Sequence, residues 1–297
     1  MSKFVKALEQ TERDRALQQR RTPQSAGPAA SPALKFKPAK PVTLQRPPAD
    51  SARGVDDHLV SLVAPETFEA EQYRGLRHTV EQLHKTHDLR IVAVSSPGVG
   101  DGKSLTAIYL AGALAQAPDA RVLLVDADLR HPSVASLLAL GGSDGPGLVD
   151  LILDPTLTLE RVARPRPPFN LSVIPAGQVA PRPYEVLKSP RLGELLEEAC
   201  RRYDYIVVDT PPLYPVQDCR VIAHWVDGFL LVVAAHHTPR RLVEEALNVM
   251  EPSKVLGFIF NGDDHPPSSY SAYYGYYGGS ADANRAALHG HGRLGGR

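Results

Sequence analysis

Short, almost uninterrupted apolar runs alternate along this chain with stretches of helical periodicity, and that alternation leaves few folds open. Arg90-Ile91-Val92-Ala93-Val94, Arg121 to Asp126, Leu171 to Pro175, Tyr205 to Asp209, Gly228 to Val233 and Val255 to Phe260 each read as a buried strand. Between them, Ser104 to Ala117, Arg191 to Arg202 and Arg240 to Met250 read as helices. Strands this apolar need cover on both faces, which the intervening helices supply. The expected fold class is α/β, with a mostly parallel sheet, helices on both faces and right-handed crossovers.

Between the first strand and the first of these helices lies Ser96-Pro97-Gly98-Val99-Gly100-Asp101-Gly102-Lys103-Ser104. A glycine-rich turn there lets backbone N–H groups crowd around phosphate oxygens, and the helix N-terminus adds partial positive charge. Lys103 can reach the β- and γ-phosphates, and the Ser104 hydroxyl can ligate Mg²⁺. The nucleotide-binding candidates are Gly98, Val99, Gly100, Asp101, Gly102, Lys103, Ser104 and Leu105, on a P-loop NTPase-like fold with ATP and Mg²⁺ as its ligands. The usual motif opens with glycine, where this chain has Pro97, but a strand before and an alanine-rich helix after restore the context.

Two strands end in acid: Val125-Asp126-Ala127-Asp128 and Val208-Asp209. Strand C-termini of a parallel sheet line the ligand crevice. Carboxylates gathered there repel one another unless a divalent cation on the phosphates offsets their charge. Asp209 fits the role of an acid holding that metal.

The flanks differ in composition. Residues 1–60 are basic and rich in Pro and Ala, with too little apolar side chain to offset the entropy of ordering, so a largely disordered arm is expected. The folded part is expected over 61–262, its first helix marked by Tyr73, Leu76, Val80 and Leu83. Five of the chain's eleven tyrosines, Tyr270, Tyr273, Tyr274, Tyr276 and Tyr277, fall in a Gly/Ser-rich stretch with no aliphatic neighbours, within an expected flexible tail over 263–297. Net charge is zero, which gives no reason to expect nucleic acid as a partner. No apolar run approaches the roughly 20 residues of a bilayer span, and no signal peptide is evident. Cys200 and Cys219 lack metal or redox spacing and read as inert thiols in a reducing cytosol; His236-His237 reads as a solvated strand end.

Several of these segments together resemble the bacterial tyrosine kinases of capsule and exopolysaccharide systems, in their stand-alone cytoplasmic form. Ser95 to Ser104 is similar to that family's Walker A, Val122 to Pro132 (VLLVDADLRHP) to its Walker A′, and Tyr205 to Pro212 (YIVVDTPP) to its Walker B. Glu71-Gln72-Tyr73-Arg74-Gly75-Leu76-Arg77 resembles the helix by which family members pack into rings. Arg182 departs from the family, which often has Asn there.

The resemblance implies an ATP-dependent tyrosine autokinase that modifies its own tail in trans, within a ring-like homo-oligomer. Lys103, Asp126 and Asp128 would be its catalytic residues. Asp126 would help deprotonate the incoming phenol or hold Mg²⁺; Ser104, Asp128 and Asp209 would organise the metal. Glu71, Arg74 and Arg77 would lie at the oligomer interface. A membrane-bound polysaccharide co-polymerase would activate the kinase at the inner face of the membrane, and a tyrosine phosphatase would reverse it.

Two other readings share the motifs. One is a nucleotide-driven switch of the partition-ATPase architecture, although the signature lysine of those proteins would fall at Gly98. The other is a scaffold without kinase activity.

Overall fold

The computed structural model describes residues 68–140 and 145–262. The expected arm (1–60) and the tyrosine-bearing segment (263–297) lie outside the described residues.

Helix α1 (Phe68–His87) opens the described region. Glu69 and Glu71 in its first turn, and His84, Lys85 and His87 in its last, complement the helix dipole. Its apolar stripe faces inward: Val80 is fully buried, with Leu76 and Leu83 packed beside it. The chain leaves through Asp88, which sits in the left-handed region at φ 51.

Strand β1 (Ile91–Ser95) then leads into the glycine turn and α2 (Lys103–Leu114). Nearly all of α2 is buried, because it is sandwiched between the sheet and α1. It ends three residues short of the expected Ala117, where Ala115 caps it ahead of Pro118. The remaining strands are β2 (Val122–Asp126), β3 (Arg164–Pro165), β4 (Leu171–Ile174), β5 (Tyr205–Asp209), β6 (Gly228–Ala234) and β7 (Val255–Asn261). Helix α3 (Pro190–Cys200) precedes β5, started by Pro190 and by the Ser189 side chain, which accepts the Arg191 N–H. Helix α4 (Arg240–Val249) precedes β7.

The sheet runs β3-β4-β2-β5-β1-β6-β7, parallel throughout except for the short β3. The expected parallel α/β sheet is present; β3 is an addition. A two-residue antiparallel ladder closed by Pro165 leaves no periodicity to read.

Alternation along each strand divides the core into two layers. Ala93, Leu123, Val125, Ile206, Val208 and Phe229 face α3 and α4. Val92, Val94, Leu124, Val207, Leu230 and Val232 face α1 and α2. A one-residue register slip would exchange the layers, so burial on both sides pins the strand ends where the chemistry sits. Among the described residues, no helix is long and apolar enough to cross a membrane.

Candidate active site

The strand order places β5 between β2 and β1, so three C-terminal ends meet. Asp126 pairs in register with Asp209, and Asp209 with Val94 just before the glycine turn. The acidic strand tips, expected to line a ligand crevice, are thereby brought side by side.

The glycine turn is held from several sides. Gly100 (φ 90) and Gly102 (φ 91) occupy the left-handed region that side chains rarely adopt. A Cβ on Gly102 would also stand 2.1 Å from the amide nitrogen of Asn261. The Ser96 hydroxyl donates to the Gly98 carbonyl at 2.6 Å. Asp101 turns into the protein, where its carboxylate accepts the Gly98 N–H at 3.2 Å and the Thr238 hydroxyl at 2.6 Å. The Asn261 amide donates to the Asp101 carbonyl at 3.0 Å. Val99, in contrast, is exposed at the tip of the turn. Gly98 and Asp101 therefore shape the turn from within, while Leu105 lies half-buried on the first turn of α2.

Lys103 is the hub of the charges. Its ammonium donates to Asp128 at 2.7 Å and to the Ser104 hydroxyl at 3.2 Å, and lies 3.8 Å from Asp209. Burial alone would depress its pKa, but Asp209 and Asp128 outweigh that and raise it. The lysine is therefore held as a cation.

The three carboxylates differ in surroundings although all are buried. Asp126 accepts three backbone N–H groups, from Asp128 at 3.2 Å, Ser133 at 3.2 Å and Val134 at 3.1 Å. Burial and the nearby Asp209 nevertheless push its carboxyl up to about 7. Asp128 divides its oxygens: one takes Lys103, the other accepts the N–H groups of Arg130 and His131 at 3.3 and 3.0 Å. Asp209 is the odd member. Neither of its oxygens has a partner in hydrogen-bond geometry among the described residues, and Lys103 is a Coulombic neighbour only. Burial lifts it to about 6 against the pull of that lysine and the nearby Ser104 side chain.

An orphaned buried carboxylate beside a phosphate turn suits a divalent cation. No group of three His, Cys, Asp or Glu side chains is arranged to cage a metal among the described residues. Mg²⁺ rarely uses such a cage, being held by one or two carboxylates together with substrate phosphates.

The candidate interface residues line α1. Glu71 and Arg74 pair with each other. Arg77 donates to Glu81 at 2.6 Å and to the Ala113 carbonyl of α2 at 3.3 Å, so part of its role is within its own chain. The tail tyrosines lie outside the described residues. His236 and His237 follow β6; Cys200 and Cys219 are both free thiols.

Three functional residues are unmarked in the sequence, Asp218, Thr238 and Asn261, while Arg130 stands inside the Walker A′-like run without a role of its own. Asn261 carried a usable signal, because it is a polar residue ending an apolar strand, as Asp126 and Asp209 are. Asp218 and Thr238 carried none, since each acts through a partner far away in sequence.

This arrangement, a backbone-lined phosphate turn facing a lysine and clustered acids at strand tips, defines a P-loop nucleotide-binding enzyme. A family model described as an AAA domain matches residues 89–224. The tyrosine-protein kinase YwqD of Bacillus subtilis is 33% identical over 223 residues, covering 74% of this chain and 91% of that protein. The succinoglycan biosynthesis transport protein ExoP of Rhizobium meliloti is 34% identical over 207 residues, 68% of this chain but only 26% of ExoP. Among solved structures, the kinase domain of the Escherichia coli tyrosine kinase ETK superposes with a TM-score of 0.63 at 28% identity, covering 71% of this chain and 82% of that one. The chain belongs to the family of bacterial tyrosine-protein kinases.

Proposed function

We propose that the chain is an ATP-dependent tyrosine autokinase that phosphorylates Tyr270, Tyr273, Tyr274, Tyr276 and Tyr277 of a neighbouring copy within a ring-like oligomer. The observation that carries this reading is the convergence of Lys103, Asp126, Asp128 and Asp209 beside the phosphate turn, in a chain whose relatives are named tyrosine kinases.

In the reaction a tyrosine oxygen attacks the γ-phosphorus of ATP, the bond to the β-phosphate oxygen breaks, ADP leaves, and the phenolic proton goes to a carboxylate. A phenol of ordinary pKa, about 10, attacks poorly at neutral pH unless that proton is accepted. Asp126, at about 7, is matched to the task, and its three backbone hydrogen bonds hold it in one orientation. Lys103 and the turn amides stabilise charge on the transferring group. Ser104, Asp128 and Asp209 would hold Mg²⁺, which neutralises phosphate charge when bound; the unpartnered oxygens of Asp209 are what fit it.

The process served is polysaccharide polymerisation and export, by analogy with ExoP, whose name places it in succinoglycan transport. A membrane-bound co-polymerase would supply the activating contact at the inner membrane face, and a tyrosine phosphatase would reset the tail. Each phosphate adds about −1.5 to −2 charge. A multiply phosphorylated tail would therefore loosen the ring by repulsion.

Incubating the full chain with ATP, Mg²⁺ and an activating co-polymerase fragment, then mapping phosphate by mass spectrometry, tests this. Phosphate on residues 270–277 that a Lys103→Met change removes is the expected result. Release of free phosphate alone, with no phosphotyrosine, would instead make the chain a nucleotide-driven switch.

A further inference from the structure

We propose that Arg130 is a positioning residue of the phosphoryl-transfer site, with Asp218 as its anchor. This deepens the reading above and rests on it for the role of Asp128.

Asp218 opens a five-residue helix, Asp218–Ile222, beyond the Pro-rich loop that follows β5. Its side chain is 1% exposed. An ionised carboxylate that deep needs a matched partner. Arg130 supplies it from the turn after β2, donating through Nε at 2.6 Å and Nη2 at 3.0 Å. The planar fork makes two parallel bonds and fixes the relative orientation of the groups it joins.

The same residue is bonded to the reaction centre through its backbone. The Arg130 N–H donates to the Asp128 Oδ1, and the other oxygen of Asp128 takes the Lys103 ammonium. Asp218, Arg130, Asp128 and Lys103 thus form one chain of contacts, from a buried anchor to the residue that faces the phosphates. The contact also bridges the two acid-bearing strand ends, since Arg130 follows β2 and Asp218 follows β5. The loop bearing the anchor is itself fixed: the Ser95 hydroxyl and the Cys219 thiol both donate to the Pro211 carbonyl, at 2.8 and 3.1 Å.

Without the guanidinium, the turn 128–131 would lose its tie to the loop that follows β5. Asp128 could then rotate away from Lys103. Groups that orient a metal-holding carboxylate typically contribute about 10- to 100-fold to activity or metal affinity when removed.

The test compares Arg130→Ala, Arg130→Lys and Asp218→Asn with the full-length wild-type chain. ATP turnover is followed both as phosphotyrosine and as free phosphate, alongside the gain in ADP affinity on adding Mg²⁺. We expect kcat to fall about tenfold or more in each variant with KM for ATP within about twofold, and the Mg²⁺-dependent gain in ADP affinity to shrink. Combining Arg130→Ala with Asp218→Asn should add little, because one linkage is already broken. Millimolar guanidinium ion should partly restore Arg130→Ala. Arg130→Lys keeps the charge but not the fork, so it supplies the measurement if the alanine variant does not fold. Folded variants with wild-type kcat and an unchanged Mg²⁺ effect would overturn the proposal. A wild-type chain that turns over ATP without making phosphotyrosine would overturn the kinase reading instead, and the role of Arg130 would still be decided on phosphate release and ADP affinity.

Discussion

Replacing Asp209 by asparagine should stabilise the nucleotide-free protein while abolishing phosphoryl transfer. The carboxylate is fully buried, has no partner in hydrogen-bond geometry among the described residues, and is lifted from its ordinary 3.8 to about 6. A carboxyl raised that far carries about 3 kcal/mol of unfavourable ionisation at neutral pH. Its sign follows from proton linkage. The folded state binds this proton more tightly than the unfolded chain, so wild-type stability declines as pH climbs from about 4 to about 6, and the loss is complete above that. The Asp209→Asn variant would carry no such penalty, but Lys103 would lose one of the counter-charges beside it. A net gain of about 2 kcal/mol is therefore expected. For a domain of this size that raises Tm by about 4–8 °C. Thermal melts in chelator at pH 5, 6 and 7.5 measure it, and the gap between variant and wild type should widen with pH. ADP alone should raise both melting temperatures, whereas adding Mg²⁺ to the ADP-bound protein should raise the wild-type Tm further and move the variant less. An Asp209→Asn protein that melts at or below wild type at pH 7.5 without metal would refute the argument that Asp209 is an acid awaiting a cation.

Asp126→Asn should lower the rate of phosphotyrosine formation by about 10²- to 10⁴-fold, because an amide cannot accept the phenolic proton; single-turnover assays with labelled ATP read this directly. Thr238→Val should weaken ADP binding, measured by titration calorimetry, and lower stability by about 1–3 kcal/mol, since the buried Asp101 carboxylate that shapes the turn loses its shortest hydrogen bond. Changing all five tail tyrosines to Phe should eliminate ATP-dependent dissociation of the oligomer in analytical ultracentrifugation; dissociation equal to wild type would exclude charge repulsion by the tail.

Much of the fold was legible because its signals are local. The apolar runs that became β1, β2, β4, β5, β6 and β7 announce themselves by composition, since strands covered on both faces have no polar side to show. The short helices at 134–137, 148–153, 159–162, 183–187 and 218–222 left no comparable trace, being too brief for a 3.6-residue period to repeat.

The site divides in the same way. Glycines at fixed spacing before Lys103-Ser104, and aspartates closing apolar strands, are what a phosphate turn and a strand-tip crevice require, so the proposed nucleotide chemistry can be read from the residue order. Chain folding was needed to bring β5 between β2 and β1, which sets Asp209 against Asp126. It was needed too for the ties of Arg130 to Asp218, Thr238 to Asp101 and Asn261 to Asp101, which join residues 88, 137 and 160 positions apart. A threonine passes unnoticed in a sequence because it suits any solvated surface, and Arg130 is marked only as part of its Walker A′-like run. Only when the folded chain removes water from its partner does the pairing acquire its energy, and with it a role.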